Sequence, residues 1–225
     1  APASNGGSAI TDYVVESSHD STTWTVFADG VSTAASATVT GLTNGTAYTF
    51  RVSATNVAGT GATSTVSGSV TPRTVPGAPT SVAGTAGNTQ VSLTWTAPVS
   101  NGGSAITDYV VEFNDGVSWA TFADGTSTAA SATVTGLTNG TAYTFRVSAT
   151  NVAGTGATST VSSAVTPAAV PGPPTSVAGT AGNTQVSLTW TAPASTGGSA
   201  ITDYVVQSSP DGTTYTTFAD GTSTA

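Results

Sequence analysis

Any catalytic or metal chemistry in this chain would rest on one histidine, eleven carboxylates and three cationic side chains, Arg51, Arg73 and Arg146, because cysteine and lysine are absent. A general base needs a partner that orients it. His19 stands in a turn-like stretch, Ser17-Ser18-His19-Asp20, and no histidine recurs elsewhere, so it reads as a turn residue. The acids are the candidate calcium ligands. Asp12, Asp108 and Asp203 each precede an apolar run, whereas Asp29, Asp124 and Asp220 each precede glycine. Calcium takes six to eight converging oxygens, and no D-x-D-x-D-G loop occurs; turn geometry accounts for the Asp-Gly pairs. Nucleophilic catalysis needs a nucleophile, a base and an orienting group, and no such set can be assembled. The expectation is therefore no catalytic, cofactor-binding or metal residue, with calcium at domain junctions as the one metal reading left open.

Two further patterns carry weaker chemistry. Glu16 and Glu112 are the only glutamates, and Arg51 and Arg146 fall on runs expected to lie beside theirs. Cross-strand ion pairs Glu16–Arg51 and Glu112–Arg146 follow from that placement. The third copy carries Gln207 instead, so the pair is dispensable there. Asn44-Gly45-Thr46 and Asn139-Gly140-Thr141 match the N-glycosylation pattern, but an Asn-Gly turn explains them better. The Gly-Gly pairs beginning at Gly6, Gly102 and Gly197 lack a strand-to-helix setting for phosphate binding and read as loop glycines.

The elements that position these residues are repeated. Gly41 to Val52 recurs unchanged as Gly136 to Val147, and Thr80 to Trp95 recurs as Thr175 to Trp190, both 95 positions on. Gly-Gly-Ser-Ala-Ile-Thr-Asp-Tyr appears three times. Solenoid repeats span about 20–50 residues, so this period describes whole domains. Within one period, short alternating runs are separated by turn signals, the pattern of a β-sandwich. Val91, Leu93 and Trp95 share one face of a strand. Ile106 to Phe113 forms another, with Tyr109, Val111 and Phe113 facing one way. Asn114-Asp115-Gly116 suggests a type I′ hairpin, followed by a strand from Trp119 to Phe122. Further strands are expected over Ser131 to Thr135, Ala142 to Asn151 and within Ser159 to Thr166.

The spacing of Pro76, Trp95, Tyr109, Leu137, Tyr143 and Ala149, with Asn151 following, resembles the fibronectin type III family. Leu137 with Tyr143 is similar to that family's tyrosine corner, in which the phenol hydroxyl ties back to the E–F turn. The resemblance implies an all-β fold of seven-stranded antiparallel sandwiches, with sheets A-B-E and C′-C-F-G and a core including Trp95, Tyr109, Val111, Leu137, Tyr143, Phe145 and Trp190. It divides the chain into a partial domain over 1–72 (strands C to G), a complete domain over 73–167 and a partial domain over 168–225 (strands A to C′). Half-sandwiches would expose their inner faces, so the segment reads as a window on a longer array, with complementation of the open ends between chains as the alternative. The family's integrin-binding use depends on an Arg-Gly-Asp triplet, which does not occur.

The net charge is −8. A nucleic-acid partner would need a basic stripe, and none exists. Apolar runs fall far short of the ~20 residues of a membrane helix, and no signal peptide is visible. Without cysteine or lysine, neither disulfides nor lysine–asparagine isopeptide staples brace the domains. The loops at one end of each sandwich, Asn101 to Ser104 and Val152 to Thr158, lack the Trp, Tyr and Arg anchors of binding hot spots. The leading expectation is a non-catalytic structural or adhesive repeat in a long extracellular fibre, on a bacterial cell surface or a phage virion, where it acts as a semi-rigid spacer and a weak multivalent binder. Its partners would be neighbouring repeats of the same chain, with surface glycans or other surface proteins as further candidates. The alternative is a set of spacer modules in a secreted polysaccharide-degrading enzyme.

Overall fold

The computed structural model describes residues 1–219; the Asp-Gly pair at Asp220 lies outside them. All regular structure among the described residues is β. In the first repeat, β1 (Asp12–Ser18), β2 (Thr25–Phe27), β3 (Thr49–Asn56) and β4 (Gly59–Thr60) form one antiparallel sheet of order β2-β1-β3-β4. In the second, β5 (Thr80–Gly87), β6 (Gln90–Thr96) and β9 (Ser131–Thr135) form a sheet of order β5-β6-β9. Strands β7 (Asp108–Asn114), β8 (Trp119–Phe122), β10 (Thr144–Asn151) and β11 (Gly154–Thr158) form the other, of order β11-β10-β7-β8. These are the A-B-E and G-F-C-C′ sheets of a seven-stranded sandwich. In the third repeat, β12 (Thr175–Gly182) pairs with β13 (Gln185–Thr191), and β14 (Gln207–Ser208) with β15 (Thr216–Thr217).

Backbone contacts group the chain into two units that cut across the sequence repeats. One comprises Ala1–Ala78, Pro98–Tyr109 and Ser148–Ala157; the other comprises Pro79–Ala97, Val110–Val147 and Thr158 onward. The second unit holds Val91, Leu93, Val111, Val134, Phe145 and Val147, all essentially without solvent exposure. Their positions follow strand alternation: β6 reads buried at Val91, Leu93 and Trp95 and exposed at Ser92 and Thr94. Tyr109, in the first unit, is also buried.

Three expectations are corrected. Strand G begins earlier than Ser159, at Gly154, and beyond Thr158 it leaves the regular ladder. There the amides of Ser159, Ser162 and Val165 donate to the carbonyls of Val147, Phe145 and Tyr143, three residues against two. The hydroxyls of Ser159 and Ser162 accept from the Val147 and Phe145 amides, so side chains supply the missing rungs. The Asn114-Asp115-Gly116 turn is not type I′. Asn114 pairs with Trp119, leaving a four-residue loop, and only Gly116 takes a positive φ, at 99°. The carboxamide of Asn114 and the carboxylate of Asp115 accept the Gly116 and Val117 amides instead.

The third correction concerns Trp190. Expected in a core, it is half-exposed and packs edge to face with Tyr204, ring centroids 5.2 Å apart. No third strand pairs with β12 and β13 among the described residues, so Val177, Val186 and Leu188 also face solvent. The first repeat likewise leaves an open apolar groove of about 640 Å³, lined by Tyr13, Val15, Val39, Leu42, Phe50 and Val52 among others.

Candidate functional site

The outer face of the C and F strands carries the chain's most organised polar chemistry. Glu16 on β1 stands directly opposite Arg51 on β3. Arg51 Nε donates to Glu16 Oε2 at 2.8 Å and Nη2 to Oε1 at 3.1 Å. In the second repeat Arg146 makes the same fork with Glu112, at 2.9 and 3.0 Å. A planar guanidinium suits such a two-bond contact. The bond to Arg51 holds the Glu16 carboxyl below its usual range, and the reciprocal bond raises Arg51. Arg146 is raised by its bond to Glu112.

A third member of each cluster was not read from the sequence. The Arg51 guanidinium carbon lies 4.2 Å from the ring centroid of Trp24, and that of Arg146 lies 4.2 Å from Trp119. Glu112 pairs with Thr121, so Trp119, two residues earlier, lies diagonally beside it on the same face. Diagonal neighbours are within reach of aromatic and long side chains, and that register was the available signal. In the third repeat Gln207 pairs with Thr217, and Tyr215 takes the place of tryptophan.

The remaining candidates are structural. Thr138 donates its amide to the Tyr143 hydroxyl at 3.1 Å, and Thr43 to that of Tyr48 at 3.2 Å, which is the tyrosine corner in two copies. Leu137, Tyr143 and Phe145 are buried beside it in sequence. Asn139 of the sequon-like triplet accepts the Thr89 amide and donates to Asn88 Oδ1, both at 2.8 Å. Its carboxamide thereby pins the A–B hairpin, whose Thr89 holds a left-handed φ of 54°. His19 lies edge-on to Tyr48 with centroids 6.4 Å apart. Asp20 accepts the amides of Thr23 at 2.7 Å and Thr22 at 2.8 Å, which hold its carboxyl well below the usual range. Asp211 repeats this with Thr214 and Thr213. Asp12 accepts the Ser32 amide at 2.9 Å. Among the described residues no three histidine or carboxylate side chains converge as a metal site would require, and no helix is long and apolar enough to cross a membrane.

This arrangement braces β-sandwich faces and turns. The sequence matches the fibronectin type III domain over residues 1–69 and 77–165, and the chain belongs to that family. It is 40% identical to chitinase A1 of Niallia circulans over 132 residues, which is 54% of this chain and 18% of that protein. It is 36% identical to endoglucanase B of Cellulomonas fimi over 210 residues, 86% of this chain and 19% of that protein. The chain thus spans less than a fifth of either relative. Among solved structures, titin domains A168–A170 match at a TM-score of 0.45 and 26% identity, covering 69% of this chain and 54% of that one.

Proposed function

We propose that this chain is a run of non-catalytic spacer modules from a secreted bacterial protein that degrades polysaccharide. The observation that carries this reading is the identity of 36–40% to stretches within a chitinase and an endoglucanase. An exoglucanase of Cellulomonas fimi adds a third relative, 41% identical over 130 residues. The reading places the chain outside the cell, as a non-catalytic part of the protein that contains it. The absence of aromatic anchors in the end loops supports a spacer over a ligand reader. An adhesive or virion fibre is the second reading, favoured by the near-identity of the repeats; the bacterial hydrolase relatives support the first more directly.

Cosedimentation of the purified chain with insoluble chitin and with insoluble cellulose tests the spacer role. A spacer stays in the supernatant at all polymer loadings. Saturable retention on either polymer would replace it with a binding role.

A further inference from the structure

The second repeat contains four steps in which an asparagine or aspartate precedes glycine: Asn101-Gly102, Asp115-Gly116, Asp124-Gly125 and Asn139-Gly140. At such a step the glycine nitrogen can attack the side-chain carbonyl carbon of the residue before it and close a succinimide ring. Glycine favours the closure because its backbone turns freely and no Cβ shields its nitrogen. Two groups must be free at once: the side chain has to rotate onto the chain, and the glycine amide has to give up its hydrogen. A hydrogen bond to either one opposes the reaction.

Three of the steps are held at both groups. Asn101 Oδ1 accepts the Gly103 amide at 3.0 Å, and the Gly102 amide donates to Ser100 Oγ at 3.2 Å. Asp115 Oδ1 accepts the Val117 amide at 3.0 Å, and the Gly116 amide donates to Asn114 Oδ1 at 2.6 Å. The Asn139 carboxamide is fixed by Thr89 and Asn88, and the Gly140 amide donates to the Pro167 carbonyl at 2.9 Å. Asp124-Gly125 differs. Both residues are exposed, and among the described residues neither the Asp124 carboxylate nor the Gly125 amide makes a hydrogen bond. Gly125 holds a left-handed φ of 78°, and a Cβ built there would meet nothing within 4 Å, so no packed neighbour blocks a turn of the backbone. The step lies between β8, which ends at Phe122, and β9, which begins at Ser131. A longer backbone link there shifts no rung of a ladder. Asp29 and Gly30 repeat the arrangement in the first repeat, also exposed, with a φ of 80° and open space at Gly30.

We propose that Asp124-Gly125 is a site of spontaneous covalent modification, at which aspartate converts to isoaspartate, and that the fold suppresses the same chemistry at the two Asn-Gly steps. The Gly125 nitrogen bonds to the Asp124 side-chain carboxyl carbon. The carboxyl group leaves as water, taking the acid proton and the amide hydrogen. Water then adds to the carbonyl carbon that was the Asp124 backbone carbonyl, and its bond to the Gly125 nitrogen breaks. The chain now runs through the side-chain carbon, and a free carboxylate hangs from Cα. One water is released and one consumed, so composition and mass are unchanged. In an unstructured chain at neutral pH the asparagine steps cyclise faster, because ammonia leaves a carboxamide more readily than water leaves an ionised carboxylate. The fold inverts that order. The proposal goes beyond the spacer role and does not depend on it.

Ageing of the intact 225-residue chain at neutral pH tests it, with isoaspartate located residue by residue through electron-transfer fragmentation. In the folded chain isoaspartate should accumulate at Asp124 at least about tenfold faster than at Asn101, Asp115 or Asn139, which corresponds to a barrier difference of about 1.4 kcal/mol. In concentrated urea the two Asn-Gly steps should overtake Asp124, and Asp115 should draw level with it. Accumulation at Asp124 no faster than at Asp115 in the folded chain overturns the proposal. So does a folded chain in which Asn101 or Asn139 leads, or an order of sites that urea leaves unchanged.

Discussion

The guanidinium carbon of Arg146 lies 4.2 Å from the ring centroid of Trp119 while its nitrogens engage both carboxylate oxygens of Glu112. The same trio occurs in the first repeat as Arg51, Trp24 and Glu16. With the Arg146 and Glu112 side chains still 30% and 20% exposed, water and salt screen the pair, so the trio braces the sheet face rather than dominating stability. Arg146→Lys keeps the charge but loses the planar fork and the stacking surface. It should lower the thermal midpoint by less than truncation of a fully buried side chain, and the ring-current shift of the position-146 side-chain protons should disappear in the NMR spectrum. A wild-type ring-current shift in the lysine variant would show that planarity is irrelevant.

Phe145 has no solvent exposure and lies on β10, between Arg146 and the tyrosine corner. Phe145→Ala removes that packing and leaves a cavity, and urea unfolding of the second repeat should report a loss of about 3–5 kcal/mol.

Tyr143→Phe tests the tyrosine corner with little change of volume. It withdraws the acceptor from the Thr138 amide, and the expected cost is about 1 kcal/mol, smaller than that of Phe145→Ala. The Thr138 amide should also gain exchange with solvent, whereas the Leu137 amide, bonded to the Thr89 carbonyl, should not.

Asp20 gives a pH dependence of definite sign. Amide bonds from Thr23 and Thr22 depress its carboxyl in the folded chain. The folded state thus favours the ionised form, and the stabilisation is fully present above the unfolded value, about 3.9. It is lost as pH falls through the depressed folded value. An NMR titration of the Asp20 side-chain carbon should therefore show a midpoint clearly below 3.9, an ordinary aspartate value. In Thr23→Pro, which lacks the first of those donors, the midpoint should rise towards it.

The alternation of Val91, Leu93 and Trp95 and of Tyr143, Phe145 and Val147 made the strands of the second repeat legible, because each strand buries one face and exposes the other. The facing of Glu112 and Arg146 was legible for the same reason, as both lie on outward positions of adjacent strands. What escaped has a different origin. Strand G departs from two-residue periodicity because the Ser159 and Ser162 hydroxyls replace ladder bonds, and serines carry no apolar signal. The position of Trp119 depends on a diagonal register between strands, which alternation alone does not set. Gly102 and Gly103 read as ordinary loop glycines, since what demands them is backbone from a distant part of the chain, at Thr74 and Gly45. Trp190 shows the converse: its local sequence is that of Trp95, but burial depends on strands that local sequence does not describe.

The claim that these repeats are spacer modules of a secreted polysaccharide-degrading protein is tested most directly by the native protein that contains them. Peptide mapping of that protein, recovered from culture medium and detected by peptides of this segment, would identify what flanks the repeats. The spacer reading predicts a glycoside-hydrolase catalytic region or a carbohydrate-binding region in the same polypeptide. A polypeptide recovered with the cell envelope or a virion particle, made up of many further copies of the repeat without such a region, would contradict it and establish the fibre instead.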